Sequence, residues 1–172
     1  MEKYVPDIYQ KSIYDINYSL LKEKGIKCLI FNLDNTVVPH DEQHVTKKIE
    51  DLFNELKKDF NIIVFSNVKR TKVNYFAVSL QVYGLTSFKL KNVKCLEKVL
   101  SKYKLDETQI AIIGNQLNTD IALGNKAGIT TILINPISKR EVFWKKLGRI
   151  QERRIMKRLK DHDLFFKGRY YE

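Results

Sequence analysis

Four short apolar runs punctuate the chain. Residues 27–33, 61–66, 109–113 and 130–134 are rich in Ile, Val, Leu and Phe and show no polar alternation. Runs of this length and composition predict strands buried on both faces, as in a parallel sheet. Helical spacing fills the gaps between them. Over 45–58, Val45, Ile49, Leu52, Phe53 and Leu56 share one face, and Val93, Leu96, Val99 and Leu100 do the same over 92–103. Helices are also expected over 70–82 and 117–127. The strand–helix alternation predicts an α/β fold, a doubly wound parallel sheet. In such sheets ligands gather beyond the carboxyl ends of the strands.

The expected organisation is one structural domain in three stretches. Residues 1–25 form a lead-in of one or two short helices ending near Gly25, a C-cap residue. Residues 26–138 form the core. Residues 139–172 form a basic helix, 140–160, with a stripe of Phe143, Leu147, Ile150, Ile155 and Leu159, followed by an aromatic tail. The length of 172 residues suits one domain with a full core.

Charge changes the picture only at the C-terminal end. The net charge is +11, yet residues 139–160 carry ten Lys or Arg against Glu141 and Glu152, which is +8 and leaves +3 elsewhere. A solvated helix, an interfacial helix drawn to anionic lipid, and a phosphate-backbone contact with RNA or a ribonucleoprotein all fit this pattern. Trp144 beside Lys145 and Lys146 favours a membrane interface. Stacking aromatics are sparse there, so sequence-specific nucleic-acid readout is not expected. The lack of a membrane-spanning or signal-peptide run predicts a cytoplasmic protein, peripheral to the membrane if lipid-bound. Cys28 and Cys95 read as buried thiols. His40, His44 and His162 read as surface residues.

Polar residues cluster where the sheet would place a ligand. Asn32-x-Asp34-x-Thr36 follows the first run, and Ser66-Asn67 ends the second. Lys89, Lys91 and Lys94 precede a helix, and Gly114-Asn115-Gln116-Leu117-Asn118-Thr119-Asp120 follows the third run. With Tyr-Val-Pro-Asp-Ile-Tyr at 4–9, Ser-Ile-Tyr-Asp-Ile at 12–16 and Glu152-Arg153-Arg154, the chain resembles the haloacid dehalogenase (HAD) superfamily. Within it, the likeness is to the YqeG-type phosphatases of subclass IIIA, which are similar to mitochondrial phosphatidylglycerophosphate phosphatases.

The resemblance implies a Rossmannoid core without a sizeable cap domain. The open site this leaves suits a large substrate. It also implies a Mg²⁺-dependent phosphatase in which the first acid attacks phosphorus and binds Mg²⁺, and the second protonates the leaving oxygen. Asp34 falls at the second acid and Thr36 at the loop buttress. Ser66, Asn67 and Lys91 (alternatively Lys89) fall at phosphate-binding positions. Asn32, Asp34, Asn115 and Asp120 fall in the metal shell. Two of these depart from the pattern: Asn32 replaces the nucleophilic Asp, and Asn115 an Asp after Gly114. An amide is a poor nucleophile and carries no charge for a hard cation. The expectation is an impaired phosphatase or pseudophosphatase that binds Mg²⁺ weakly. The alternatives are an active phosphomonoesterase on a lipid phosphate or small phosphomonoester, with water activated by Asp34 or Asp120, and a non-catalytic scaffold working through the basic helix.

Overall fold

The computed structural model describes residues 1–66, 70–85, 93–138 and 146–172. Six parallel strands form one sheet: β1 (Ile8–Gln10), β2 (Cys28–Asn32), β3 (Asn61–Phe65), β4 (Tyr83–Leu85), β5 (Ile110–Gly114) and β6 (Thr130–Ile134). Their order is β1-β6-β5-β2-β3-β4. The helices are α1 (Tyr18–Glu23), α2 (Lys47–Leu56), α3 (Arg70–Leu80), α4 (Val93–Tyr103), α5 (Ala122–Ala127) and α6 (Lys146–Asp161). A five-residue π-helix, Leu117–Ile121, leads into α5.

The apolar runs become central strands because both their faces are covered. Successive strand side chains point to opposite faces. Leu29, Phe31, Ile62, Val64, Ala111 and Ile113 pack with Leu21 of α1, Ile49, Phe53 and Leu56 of α2, and Val73, Phe76 and Leu80 of α3. Cys28, Ile30, Ile63, Phe65, Ile110 and Ile112 pack on the other side with Leu96 and Val99 of α4 and Leu123 of α5. Thr46 caps α2 by accepting the Ile49 N–H. The β2–β3 connection holds α2 and no further domain among its described residues.

Two strands escape the sequence pattern. Residues 83–85, Tyr-Gly-Leu, are too short to register as an apolar run, and Gly84 interrupts them. The lead-in, expected to be helical, also supplies the edge strand β1. Asp7 anchors it by accepting the Thr131 N–H at 2.7 Å and the Thr131 hydroxyl at 2.8 Å. Gly25 follows the C-cap of α1 with φ of 86°, a left-handed conformation that costs glycine little.

The aromatic tail returns to β1. Tyr171 exchanges two backbone hydrogen bonds of 2.9 Å with Tyr9, and the Tyr9 ring meets Phe165, Tyr170 and Tyr171. Ile155 and Leu159 of α6 are buried with Tyr9, Leu117, Ile121, Leu133 and Phe165, so the described part of the apolar stripe docks on the domain. Phe143 lies outside the described residues, as do the side chains of Leu147 and Ile150. Arg153, Arg154, Lys157, Arg158 and Lys160 face solvent. Among the described residues, no helix is long and apolar enough to cross a membrane.

Gly124 is required by close packing of α5 on the sheet. A Cβ there would lie 2.3 Å from Thr131 Cγ2 and 2.7 Å from Ile112 Cγ2. Gly124→Ala is expected to cost about 1–3 kcal/mol through overpacking, read as a lower urea midpoint at unchanged slope. A midpoint equal to the parent's would show that α5 shifts freely.

Candidate active site

The chain runs from β2 outward to β3 and β4, then back across to β5. The ends of β2 and β5 therefore lie side by side at the point where strand order reverses, where such sheets form a crevice. Asn32 ends β2 and Gly114 ends β5. The backbone after Asn32 turns tightly: Leu33 donates its N–H to Phe65 O, Val38 to Leu33 O, and Asn35 to Val38 O. The first bond carries the β2–β3 register past the strand ends and sets Ser66 beside Asp34. Asn35 has φ of 60°, and its amide clamps Ser138, donating to its carbonyl and accepting its N–H, each at 2.8 Å. This ties the loop to the exit of β6.

Asn32, Asp34, Thr36, Ser66 and Asp120 are all at most 4% exposed. Asn32 Oδ1 accepts the Asp34 N–H at 3.0 Å, which turns Nδ2 toward Asp120 Oδ2, also at 3.0 Å. The same Asp120 oxygen accepts the N–H groups of Asn115 at 3.0 Å and Gln116 at 3.2 Å. Burial raises the Asp120 carboxyl above the usual carboxylate range, and these hydrogen bonds oppose that rise. Gly114 makes the approach possible, since a Cβ there would lie 2.2 Å from Asp120 Oδ2. Asn115 Oδ1 accepts the Thr36 hydroxyl at 3.2 Å. Glu152 of α6 accepts the Leu117 N–H at 3.0 Å and so fixes the start of the π-helix.

Asp34 is held on two sides. Ser66 donates its hydroxyl to one carboxylate oxygen. Lys72 of α3 reaches the other at 3.3 Å, and its ammonium also donates to the carbonyls of Pro39 and His40. His40 Nδ1 lies 3.8 Å from Asp34.

The structure thus gathers Asn32, Asp34, Thr36, Ser66, Asn115 and Asp120 at one strand-end crevice. Asn67, Lys89 and Lys91 lie outside the described residues, as does the Lys94 side chain. Lys72 joins the site from outside the spaced motifs. It shares a helix face with the buried Val73, Phe76 and Leu80, and a charge on an apolar face is the mark by which it was findable. His40 is not a surface residue, because the turn after Val38 folds it against Asp34; its side chain is 15% exposed, against 84% for His44.

Among the described residues, the donor set is a poor fit to Mg²⁺. Such sites take hard oxygen ligands with carboxylate charge. Here one carboxylate is paired with Lys72, the other accepts three N–H groups at one oxygen, and Asn32 directs a donor into the space between strand ends. Among the described residues there is no cluster of three or more His, Cys, Asp or Glu suited to a metal.

A parallel sheet of this order, with an Asn-x-Asp-x-Thr loop, a strand-end Ser and a buried Asp converging at its switch point, defines a phosphatase fold of the haloacid dehalogenase superfamily. Within that class the chain belongs to the family described as mitochondrial PGP phosphatase, whose model matches residues 1–138. It is 30% identical over 158 residues to "Probable phosphatase YqeG" of Bacillus subtilis (strain 168), covering 91% of this chain and 92% of that protein. It is 25% identical over 147 residues to "Phosphatidylglycerophosphate phosphatase 1, chloroplastic/mitochondrial" of Arabidopsis thaliana, covering 80% of this chain and 42% of the longer plant protein. Among solved structures, the fold is shared with 3-deoxy-D-manno-octulosonate 8-phosphate phosphatase of Yersinia pestis (TM-score 0.50, 13% identity, 72% of each chain). It is also shared with a hypothetical protein of Xanthomonas campestris (TM-score 0.52, 12% identity, 81% of this chain and 79% of that one).

Proposed function

We propose that this protein is a phosphatase-family member that binds a phosphorylated ligand, a lipid phosphate such as phosphatidylglycerophosphate, and hydrolyses it at a severely reduced rate. The observation that carries the reading is the Asn32 amide, which donates to Asp120 at the nucleophile position. Attack on phosphorus needs a lone pair free to form a P–O bond. The Asn32 nitrogen has its lone pair delocalised into the amide, and the oxygen is neutral and occupied by the Asp34 N–H. Loss of a nucleophile of this kind lowers turnover by roughly 10⁴–10⁶. Mg²⁺, where a family site binds it, neutralises charge on the transferring phosphoryl group; in this chain Ser66 and Lys72 are engaged with Asp34.

Phosphate release from phosphatidylglycerophosphate by the full chain tests the reading. Release at trace rate is expected. Turnover on the order of 1 s⁻¹ or faster, lost in Asp34→Ala, would sink it.

Asp34 supports a second reading. Its buried carboxylate, between a hydroxyl and an ammonium, is placed to accept a proton from water, so the residual rate would pass through it. Asp34→Asn should then remove that residual rate, and a residual rate unchanged by the substitution rejects this route.

A further inference from the structure

Between α6, the exit of β6 and the returning tail lies a groove of about 490 Å³. Leu133, Met156 and Phe165 line it together with Arg153, Lys167 and Asn115. Both cations are exposed, and neither pairs with a carboxylate among the described residues. Glu152 also lines the groove but accepts the Leu117 N–H.

Apolar lining alone would accept any hydrophobe, and two cations alone would accept any anion. Their placement in one groove selects an anion with an apolar body. Asn115 is common to the groove lining and to the strand-end site, where it accepts the Thr36 hydroxyl. A ligand spanning both would carry an anionic group a short way from its terminal phosphate. We propose that the groove is the subsite for the non-reacting part of a glycerophospholipid. Arg153 and Lys167 hold its phosphodiester, and Leu133, Met156 and Phe165 hold the glycerol and first chain carbons. The proposal rests on the reading that the ligand is a lipid phosphate.

The test is calorimetric titration of the full chain at physiological salt with three soluble probes. These are monomeric dihexanoyl-phosphatidylglycerol, its choline counterpart, and glycerophosphoglycerol, which keeps the diester and lacks the chains. The phosphatidylglycerol is expected to bind about tenfold or more tighter than either other probe. Arg153→Gln with Lys167→Gln should weaken it about tenfold or more. Met156→Glu should abolish binding while the variant still melts cooperatively. Equal affinity for all three probes, or an affinity indifferent to the paired Gln substitutions, overturns the proposal; equal binding of the chain-free diester marks a general polyanion surface instead. The probes carry no phosphomonoester. Their failure therefore rejects the groove alone, whereas the phosphate-release assay decides the phosphatase-site reading.

Discussion

Asn32→Asp combined with Asn115→Asp is expected to melt lower than the parent in EDTA, recover in millimolar Mg²⁺, and release phosphate at least about 10²-fold faster than the parent. The argument is electrostatic. Asn32 Nδ2 now meets Asp120 Oδ2 at 3.0 Å as donor to acceptor. With an Asp at 32, two buried carboxylates would share that distance, and like charges so close cannot both ionise without a cation between them. Asn115→Asp adds a third acid beside Thr36. The metal-free fold should therefore lose stability, and Mg²⁺, binding only the folded state, should return it. The parent should show almost no Mg²⁺-dependent shift, since Asp120 is satisfied by N–H donors and Asp34 by Lys72 and Ser66. Differential scanning fluorimetry with and without Mg²⁺ reads this without an activity assay. A large Mg²⁺ shift in the parent, or none in the double variant, would refute the account.

Lys72→Met should cost about 3–5 kcal/mol, a fall of roughly 10 °C in melting temperature for a domain of this size. The Lys72 and Asp34 side chains are only 3% and 5% exposed. Removing the ammonium leaves a buried carboxylate with, among the described residues, the Ser66 hydroxyl donor and the His40 ring nearby, and takes a donor from the Pro39 and His40 carbonyls. Asp34→Asn in the same background should recover much of the loss, because it removes the stranded charge. Asp34→Asn alone should cost less than Lys72→Met, since the ammonium keeps two carbonyl acceptors. Urea unfolding of the four proteins closes the double-mutant cycle. Additive effects would mean that the two groups do not act as a pair.

The legible parts of the fold were those whose environment is uniform along a segment. The central strands are apolar on both faces because helices cover both, so each run shows without knowledge of its neighbours. Ile49, Phe53 and Leu56 announced α2 for the same reason. The strand 83–85 and the strand in 8–10 were not legible. Each is three residues long, and β1 forms because Asp7 and the returning Tyr171 hold it against β6. The part of the site that follows strand ends was legible as spaced motifs. Lys72 shows in the sequence only as a charge on an apolar helix face, and its role, like that of Asn35, is not legible there because the partners lie far off in sequence: Asp34 for Lys72, and Ser138 for Asn35.

The sequence by itself therefore determined the sheet class, the order of the polar motifs and the two amides at 32 and 115. Strand propensity, apolar runs and residue chemistry are local properties. Only the tertiary structure decided what those amides do. It brings Asn32 within 3.0 Å of Asp120, 88 residues away, and buries Lys72 against Asp34. In a buried site the charge of a group is set by the donors and ions that the fold places around it.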